Sequence, residues 1–490
     1  MSTSDALTLL STVLHPSYVE TAPDIVETYT TSWGGKHKGA AFAVLTPRTV
    51  QDVCAIMRWA TSTRTPVVPQ GGNTGLVGAA TPDRSGRAVL LSLRRLDQIR
   101  SVDTVGDTMI AEAGCILTDV QRKAHENDRY FPLSLGSEGS CRIGGLVSTN
   151  AGGINVIRYG TMRDLTLGLE YVTADGTLVS NLKTLRKDNA GYALRQLLIG
   201  AEGTLGIITA AALRLYHRSP QSATALCGVH DPSTAVKLLG RMQAQVGGRI
   251  SSFELMCDVE MGLILGHQPS LKNPLRDRHP WYVFIEIADA AEGHDVQELL
   301  QLALSTALEN DEIIDAVIAG SRAQADAIWH LRFISSEANR QARPVASYDA
   351  SVALADIAGF IDRIRQETPS RFPTLMPLFI GHVGDGNIHL GFIDLDKENP
   401  KPNLNVDLDA FVFDLLTELN GSITAEHGIG RKWVGELAAR TPPSTLAMMR
   451  SIKNAFDPLG ILNPGAVLAW ETQASADRRF TTVVGDRGKE

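Results

Sequence analysis

Three glycine-rich runs crowd the first 210 residues, and they constrain the fold more than any other feature. The first is Gln70-Gly71-Gly72-Asn73-Thr74-Gly75-Leu76-Val77-Gly78, straight after a short strand candidate at 66–69. Ahead of it, Ala41 to Leu45 reads as a strand. Thr46-Pro47 then reads as the start of a helix carrying Val50, Val53, Ile56, Met57 and Ala60 at helical spacing. Strand, helix, strand, glycine loop is a unit that suits phosphate. The glycine order is Gly-Gly-x-x-Gly with no helix pattern behind it, so the dinucleotide fingerprint of a Rossmann fold is excluded. The second run spans Leu135 to Gly153, with Ser140, Thr149 and Asn150 among its glycines. The third, Glu202-Gly203-Thr204-Leu205-Gly206, enters a strand candidate at Ile207-Ile208. Small residues let backbone approach a ligand, and hydroxyls and amides give directional bonds. Taken singly, each run could be a set of turns. Three together, with few charges nearby, suit one large buried cofactor carrying a pyrophosphate.

A second constraint lies far downstream. In Gly381-His382-Val383-Gly384-Asp385-Gly386-Asn387-Ile388-His389-Leu390, Asp-Gly predicts a two-residue hairpin turn. Counting back from that tip sets His382 opposite His389 on one face of the ladder. Two imidazoles so placed can grip one ion. Glu426, about forty residues on in the run Gly421 to Gly428, would be a third ligand, and one position would stay open for substrate. That is the pattern of a catalytic zinc or similar divalent site. His427 beside it would be the base. The competing reading is a hairpin with two unrelated histidines.

With 490 residues the chain exceeds one ordinary core. A net charge of −8 and no dense Lys/Arg run argue against a nucleic-acid surface. The five cysteines are scattered without a Cys-x-x-Cys, which fits a reducing compartment and excludes a disulfide framework. No apolar stretch reaches the length of a membrane span. Met1 to Glu20 reads as a short helix rather than a targeting peptide, so a cytoplasmic location is expected. The expected organisation is a helical segment over 1–37, a glycine-rich domain over 38–217, an inserted α+β domain over 218–425, a return over 426–470 and a polar tail over 471–490. In the inserted domain, helices are expected near 232–246, 293–309 and 353–367, and a strand from Trp281 to Ile287.

In this order and spacing, the motifs resemble the flavoprotein family containing D-2-hydroxyglutarate and D-lactate dehydrogenases. The matching runs are Pro69 to Gly78, Gly139 to Gly145, Thr149 to Gly153, Arg186 to Tyr192, Gly200 to Ile208, Gly381 to Leu390, Ala425 to Gly428 and Ile461 to Pro464. The resemblance implies an α+β fold: a two-subdomain FAD-binding domain of the vanillyl-alcohol-oxidase type, an inserted α+β substrate (cap) domain and a C-terminal return. It implies that Gln70, Gly71, Gly72, Asn73, Thr74 and Gly75 cradle the FAD pyrophosphate. Ser140, Gly144, Gly145, Thr149, Asn150 and Gly153 would line the flavin and its ribityl chain. Gly203 and Ile208 would lie near the adenine-proximal half, and Asn463 near the isoalloxazine ring. Some relatives bind flavin covalently through a histidine in the first loop; Asn73 stands there, so the FAD is expected to be noncovalent.

The same resemblance implies a D-2-hydroxy acid oxidised to its 2-oxo acid, assisted by a divalent metal, zinc, on His382, His389 and Glu426. His427 would take the hydroxyl proton, Arg332 would pair the substrate carboxylate, and Ser336 and Ser347 would line the substrate pocket. An electron-transfer flavoprotein or quinone would take the electrons, in a homodimer. Members acting on 2-hydroxyglutarate tend to carry Lys where this chain has Ser347, and Asn where it has Gly391. D-lactate or another short D-2-hydroxy acid therefore stays open beside D-2-hydroxyglutarate. A zinc hydrolase with merely structural glycine loops, and a flavin module without catalysis, are the rivals from other classes.

Overall fold

The computed structural model describes residues 2–219, 221–290, 295–396 and 404–469; the polar tail lies outside them. Near the N-terminus, helix Thr3–Leu10 precedes, and helix Pro23–Thr30 interrupts, a four-stranded sheet ordered Val19–Glu20, Ala41–Leu45, Ala88–Ser92, Val67–Gln70. The last three strands are parallel, because helix Val50–Thr63 carries the chain across the sheet. That helix starts later than Thr46-Pro47 suggested. Thr49 accepts from the Asp52 amide while Asp52 accepts from the Thr49 amide, so this capping box sets the start.

A five-stranded antiparallel sheet follows, ordered Ile99–Asp103, Thr108–Glu112, Ile207–Arg214, Thr166–Val172, Leu178–Asn181. The second glycine run does not stay irregular: Ile143–Thr149 is a helix. The third is the turn into Ile207–Arg214.

The region from 221 to 394 builds one seven-stranded antiparallel sheet. Its order is Asp315–Ile318, Gln221–Val229, Trp281–Asp289, Ile250–Cys257, Leu375–His382, Asn387–Asp394, Ala346–Ser351. Helices Pro232–Val246, Val296–Glu309 and Ile357–Arg371 pack on one face, where Val283, Ile285, Phe379 and Leu390 are buried. On the other face, Tyr282, Phe284 and Met256 are covered by helices Asp258–His267 and Arg322–Phe333. Two covered faces explain the nearly unbroken apolar run of Trp281–Asp289. On this second face, Ile380 and the partly buried Ile154 of the glycine-rich region join the same cluster. The two parts of the chain thus meet where the strands carrying His382 and His389 lie.

The C-terminal return is clamped by one half-buried cation. Lys453, on helix Pro443–Phe456, donates to the Thr204 carbonyl at 2.8 Å, the Leu462 carbonyl at 2.8 Å and Asp457 at 2.5 Å. It ties the return to the third glycine turn.

Candidate active site

The three glycine runs converge. A Cβ on Gly72 would lie 2.1 Å from the Ser140 carbonyl oxygen, and one on Gly203 2.3 Å from the Pro69 ring. Only glycine permits either approach. Gly71 faces Gly145 across a gap in which a Cβ would touch backbone at 3.4 Å, and a Cβ on Gly153 would strike the Ser134 carbonyl at 1.9 Å. Four non-glycine residues with left-handed backbone gather here as well: Asn73, Asn150, Glu202 and Asn463. Such strain clusters at ligand clamps.

The expected cofactor residues divide by how their side chains are used. Gln70 donates to the carbonyls of Tyr29 and Ala80, and Asn73 donates to that of Thr31. They strap the N-terminal segment over the first loop, which leaves the backbone of Gly71 to Gly75, with the half-buried Thr74, as the cradle. Ser140 is exposed, and the Thr149 hydroxyl donates within its own helix to the Gly145 carbonyl. Gly144 packs its backbone against Ala113, and Asn150 accepts from the Arg163 amide. Ile208 is buried in its strand. Asn463 is 1% exposed, donates to Ala79 and Glu202 carbonyls and accepts from Arg431, so its side chain is fully used inside the protein. Arg431 was not foreseen. Its Nε and Nη1 are buried without a partner among the described residues, beside these loops. A buried guanidinium edge with nothing to bind, next to a backbone cradle, fits an anionic cofactor.

The hairpin differs from the expected one. His382 pairs with Asn387, not His389, so the loop is the four residues 383–386 rather than Asp385-Gly386 alone. The His382 carbonyl accepts from both the Asp385 and Gly386 amides, which closes the wider loop. His389 pairs with Ile380 instead. The partner shift is two residues, so both histidines keep the same face. They sit diagonally, with Nε2 atoms 3.4 Å apart.

Glu426 completes the group, its oxygens 3.7 Å from His382 Nε2 and 4.0 Å from His389 Nε2. Ligands of a tetrahedral zinc ion stand about 3.4 Å apart, so small side-chain movements would close this set around an ion. A second triad, Asp349, His389 and His427, is also tight enough. Its carboxylate is occupied, however. Asp349 Oδ2 accepts from the amides of Ala425, Glu426 and His427 at 3.1, 2.8 and 2.8 Å, and Oδ1 accepts from Asn387 at 2.9 Å. The His382, His389, Glu426 set is therefore the candidate metal centre.

Two carboxylates behind this centre were not foreseen. Asp349 lies directly across the ladder from His389, 3.4 Å from its Nδ1 and 3.6 Å from His427 Nδ1. Burial works against its charge, but His427, His389 and the backbone donors hold its pKa well below the usual carboxylate range. Glu254, fully buried, accepts from His382 Nδ1 at 2.6 Å and from Arg332 Nε at 2.7 Å. Burial disfavours the protonated His382 imidazole, yet Glu254 and Glu426 outweigh it and push the ring up to about 9. The only sequence signal for Glu254 is a lone acid within the otherwise apolar and small-polar strand Ile250–Cys257.

Arg332 is buried rather than on the surface, and its Nε belongs to Glu254. Ser336 is exposed on helix Ser335–Ala342. Ser347 is exposed and pairs directly with Gly391, one alternation along the ladder from Asp349 and His389. The two departures from the 2-hydroxyglutarate pattern are thus cross-strand neighbours on the face of the metal centre. That centre abuts the second glycine run, for a Cβ on Gly152 would lie 2.9 Å from Glu426 Oε1. Glu202 of the third run accepts from the amides of Ile429 and Gly430 at 2.8 Å each, just past His427.

From this geometry, Asp349→Asn should cost on the order of 3 kcal/mol, because an amide nitrogen replaces an acceptor for buried N–H groups. FAD absorbance should be retained while the unfolding midpoint falls. An unchanged midpoint would show that the turn at 425–427 does not depend on Asp349.

Residues 41–181 match the FAD binding domain, and residues 218–467 match the C-terminal domain of FAD linked oxidases. The chain is 37% identical to D-2-hydroxyglutarate dehydrogenase, mitochondrial, of Arabidopsis thaliana, over 90% of this chain and 78% of that one. It is 35% identical to the Rattus norvegicus protein of the same name, over 92% and 82%. It is 33% identical to putative D-lactate dehydrogenase C713.03, mitochondrial, of Schizosaccharomyces pombe, over 91% and 85%. Among solved structures, p-cresol methylhydroxylase with substrate bound superposes with a TM-score of 0.74 at 16% identity, covering 95% of this chain and 97% of that one. An alkyldihydroxyacetonephosphate synthase gives 0.71 at 15%, covering 95% and 85%. The fold is thus the one these two structures share, with mixed helices and sheets. The expected cytoplasmic location is overturned, since the relatives named here are mitochondrial. Reduced cysteines disfavour an oxidising compartment but do not separate cytosol from mitochondrial matrix. The hydrolase alternative falls too, because both halves of the chain match flavin-enzyme domains. The chain belongs to the FAD-linked oxidases, in the group that includes the D-2-hydroxyglutarate dehydrogenases.

Proposed function

We propose that this protein oxidises a D-2-hydroxy acid to the 2-oxo acid with noncovalent FAD and a zinc ion held by His382, His389 and Glu426, D-2-hydroxyglutarate standing ahead of D-lactate. The observation that carries this reading is the meeting of Glu426 with Gly152: the two-histidine, one-carboxylate group stands against a cofactor loop. Asn73 supports a noncovalent flavin, since an amide already bonded to Thr31 is no nucleophile.

FAD, when bound, accepts the hydride and supplies redox chemistry that no side chain offers. A divalent ion, if held by His382, His389 and Glu426, would favour the ionised form of a substrate hydroxyl. The chain's own residues do the rest. His427 turns Nδ1 toward Asp349, which leaves Nε2 to take the hydroxyl proton. Arg332 gives Nε to Glu254, and its Nη edge is the part that can pair a substrate carboxylate. Ser336 and Ser347 would border the rest of the substrate. The electrons then pass to an electron-transfer flavoprotein or a quinone.

A shorter acid is the second reading. It is favoured by the Ser347–Gly391 pair, which puts no cation or amide side chain where a distal carboxylate would lie. A carboxylate without such a partner is costly to desolvate.

Anaerobic addition of D-2-hydroxyglutarate or D-lactate should bleach the flavin, and the L acids should not. His427→Ala should slow that bleaching by about 10²–10⁴-fold with FAD and metal retained. Bleaching by an L acid alone would overturn the stereochemical reading, and a normal rate in His427→Ala would remove that residue from proton transfer.

Ser347→Lys separates the two substrates. If the natural substrate is short, the added cation should raise kcat/KM for D-2-hydroxyglutarate relative to D-lactate. If another residue already binds the distal carboxylate, the ratio should hardly move.

A further inference from the structure

Glu254 is an unusual residue for its place. Every residue of the strand Ile250–Cys257 is buried, and Glu254 is 0% exposed. Leu255 pairs with Gly381 across the ladder, so Glu254 stands at the level of His382 on the neighbouring strand. Its two oxygens face different partners: Oε1 meets His382 Nδ1 at 2.6 Å, and Oε2 meets Arg332 Nε at 2.7 Å. A buried ion pair adds little net stability over apolar packing, so stability alone does not account for a carboxylate here. A carboxylate on the far nitrogen of a metal-binding histidine does have a use. It fixes the tautomer and aims the other nitrogen at the ion.

We propose that Glu254 is a positioning residue that couples the metal centre to the substrate-carboxylate grip. With one oxygen it holds the Nδ1 proton of His382, so that Nε2 faces Glu426 and His389. With the other it fixes the guanidinium of Arg332, so that the Nη edge is the one left for substrate. The ion and the carboxylate pairing are thereby held at a set spacing by one rigid strand residue. This inference rests on the metal reading of the proposed function.

The test uses the FAD-loaded protein, stripped of metal and titrated with Co2+, whose visible absorption reports tetrahedral histidine–carboxylate binding. Glu254→Gln should weaken Co2+ binding about 10–100-fold with the FAD content unchanged. At saturating Co2+, kcat should return to within about threefold of the parent, while KM for the hydroxy acid stays raised by about tenfold, because Arg332 has lost its anchor. A merely structural role would not split kcat from KM in this way. If Glu254→Gln does not fold, Arg332→Met breaks the same bridge from its other end. Removal of the guanidinium then leaves Glu254 to His382 alone, and Co2+ should bind at least about threefold tighter as KM rises. Equal Co2+ affinity and equal KM in Glu254→Gln, or an unmoved Co2+ affinity in Arg332→Met, would overturn the proposal alone. A parent protein that binds no Co2+ would overturn the metal reading itself, and this proposal with it.

Discussion

The site depends on one buried carboxylate. Asp349 sits on the outermost strand of the seven-stranded sheet and collects the backbone N–H groups of Ala425, Glu426 and His427. Those amides fix where a candidate metal ligand and a candidate base leave the chain. The same carboxylate lies beside the Nδ1 atoms of His389 and His427 and holds those rings nearly parallel, 15° apart. Glu254 does for His382 what Asp349 does for His389. The candidate ligands His382 and His389 are thus each backed by an acid on a sheet strand that is nearly inaccessible to water. Sites built on strands are held more closely than sites on loops.

A second set of contacts brings this cluster to the cofactor region. Glu202, from the third glycine run, caps the amides of Ile429 and Gly430, two and three residues past His427. Burial pushes the Glu202 carboxyl up to about 7, while the two amides and Arg431 favour its charge. Asn463 donates to the Glu202 carbonyl and accepts from Arg431, and Lys453 donates to the Thr204 and Leu462 carbonyls. The short C-terminal return therefore links the glycine loops to the turn that carries Glu426 and His427. Among the described residues, Nε and Nη1 of Arg431, on that return, are buried without a partner beside those loops. Gly152 of the second glycine run also lies against Glu426, where a Cβ would come within 2.9 Å of Oε1.

Much of this was legible in the residues, for physical reasons that differ by element. The glycine runs announce themselves because only glycine tolerates such backbone contacts, as Gly72 against Ser140 and Gly203 against Pro69 illustrate. The histidine pair was legible because strand alternation fixes a face even when the turn is misjudged. His382 and His389 stayed together although the loop grew from two residues to four. Arg332 was legible as a site candidate, but its attachment to Glu254 was not. Glu254 and Asp349 lie 128 and 40 residues before the histidines they touch, and no local period links them. Such pairs follow from the order of strands in the sheet, which depends on tertiary packing rather than on neighbouring sequence. The helix at 143–149 was missed since its Gly-Gly and Ser-Thr content opposes helix by propensity. The compartment is not legible, because cysteine usage reports redox state and the helical reading of Met1 to Glu20 does not fix location.

The central claim is that one ion is held by His382, His389 and Glu426, with Asp349 kept out of the coordination shell by the amides it accepts. Anomalous diffraction at the metal edge, from crystals of the FAD-loaded protein as purified, addresses it most directly. The account predicts a single peak between His382 Nε2, His389 Nε2 and Glu426, with Asp349 still bound to the amides of 425–427. A peak bounded instead by Asp349, His389 and His427, or no peak in a protein that still reduces its flavin at full rate, would contradict it.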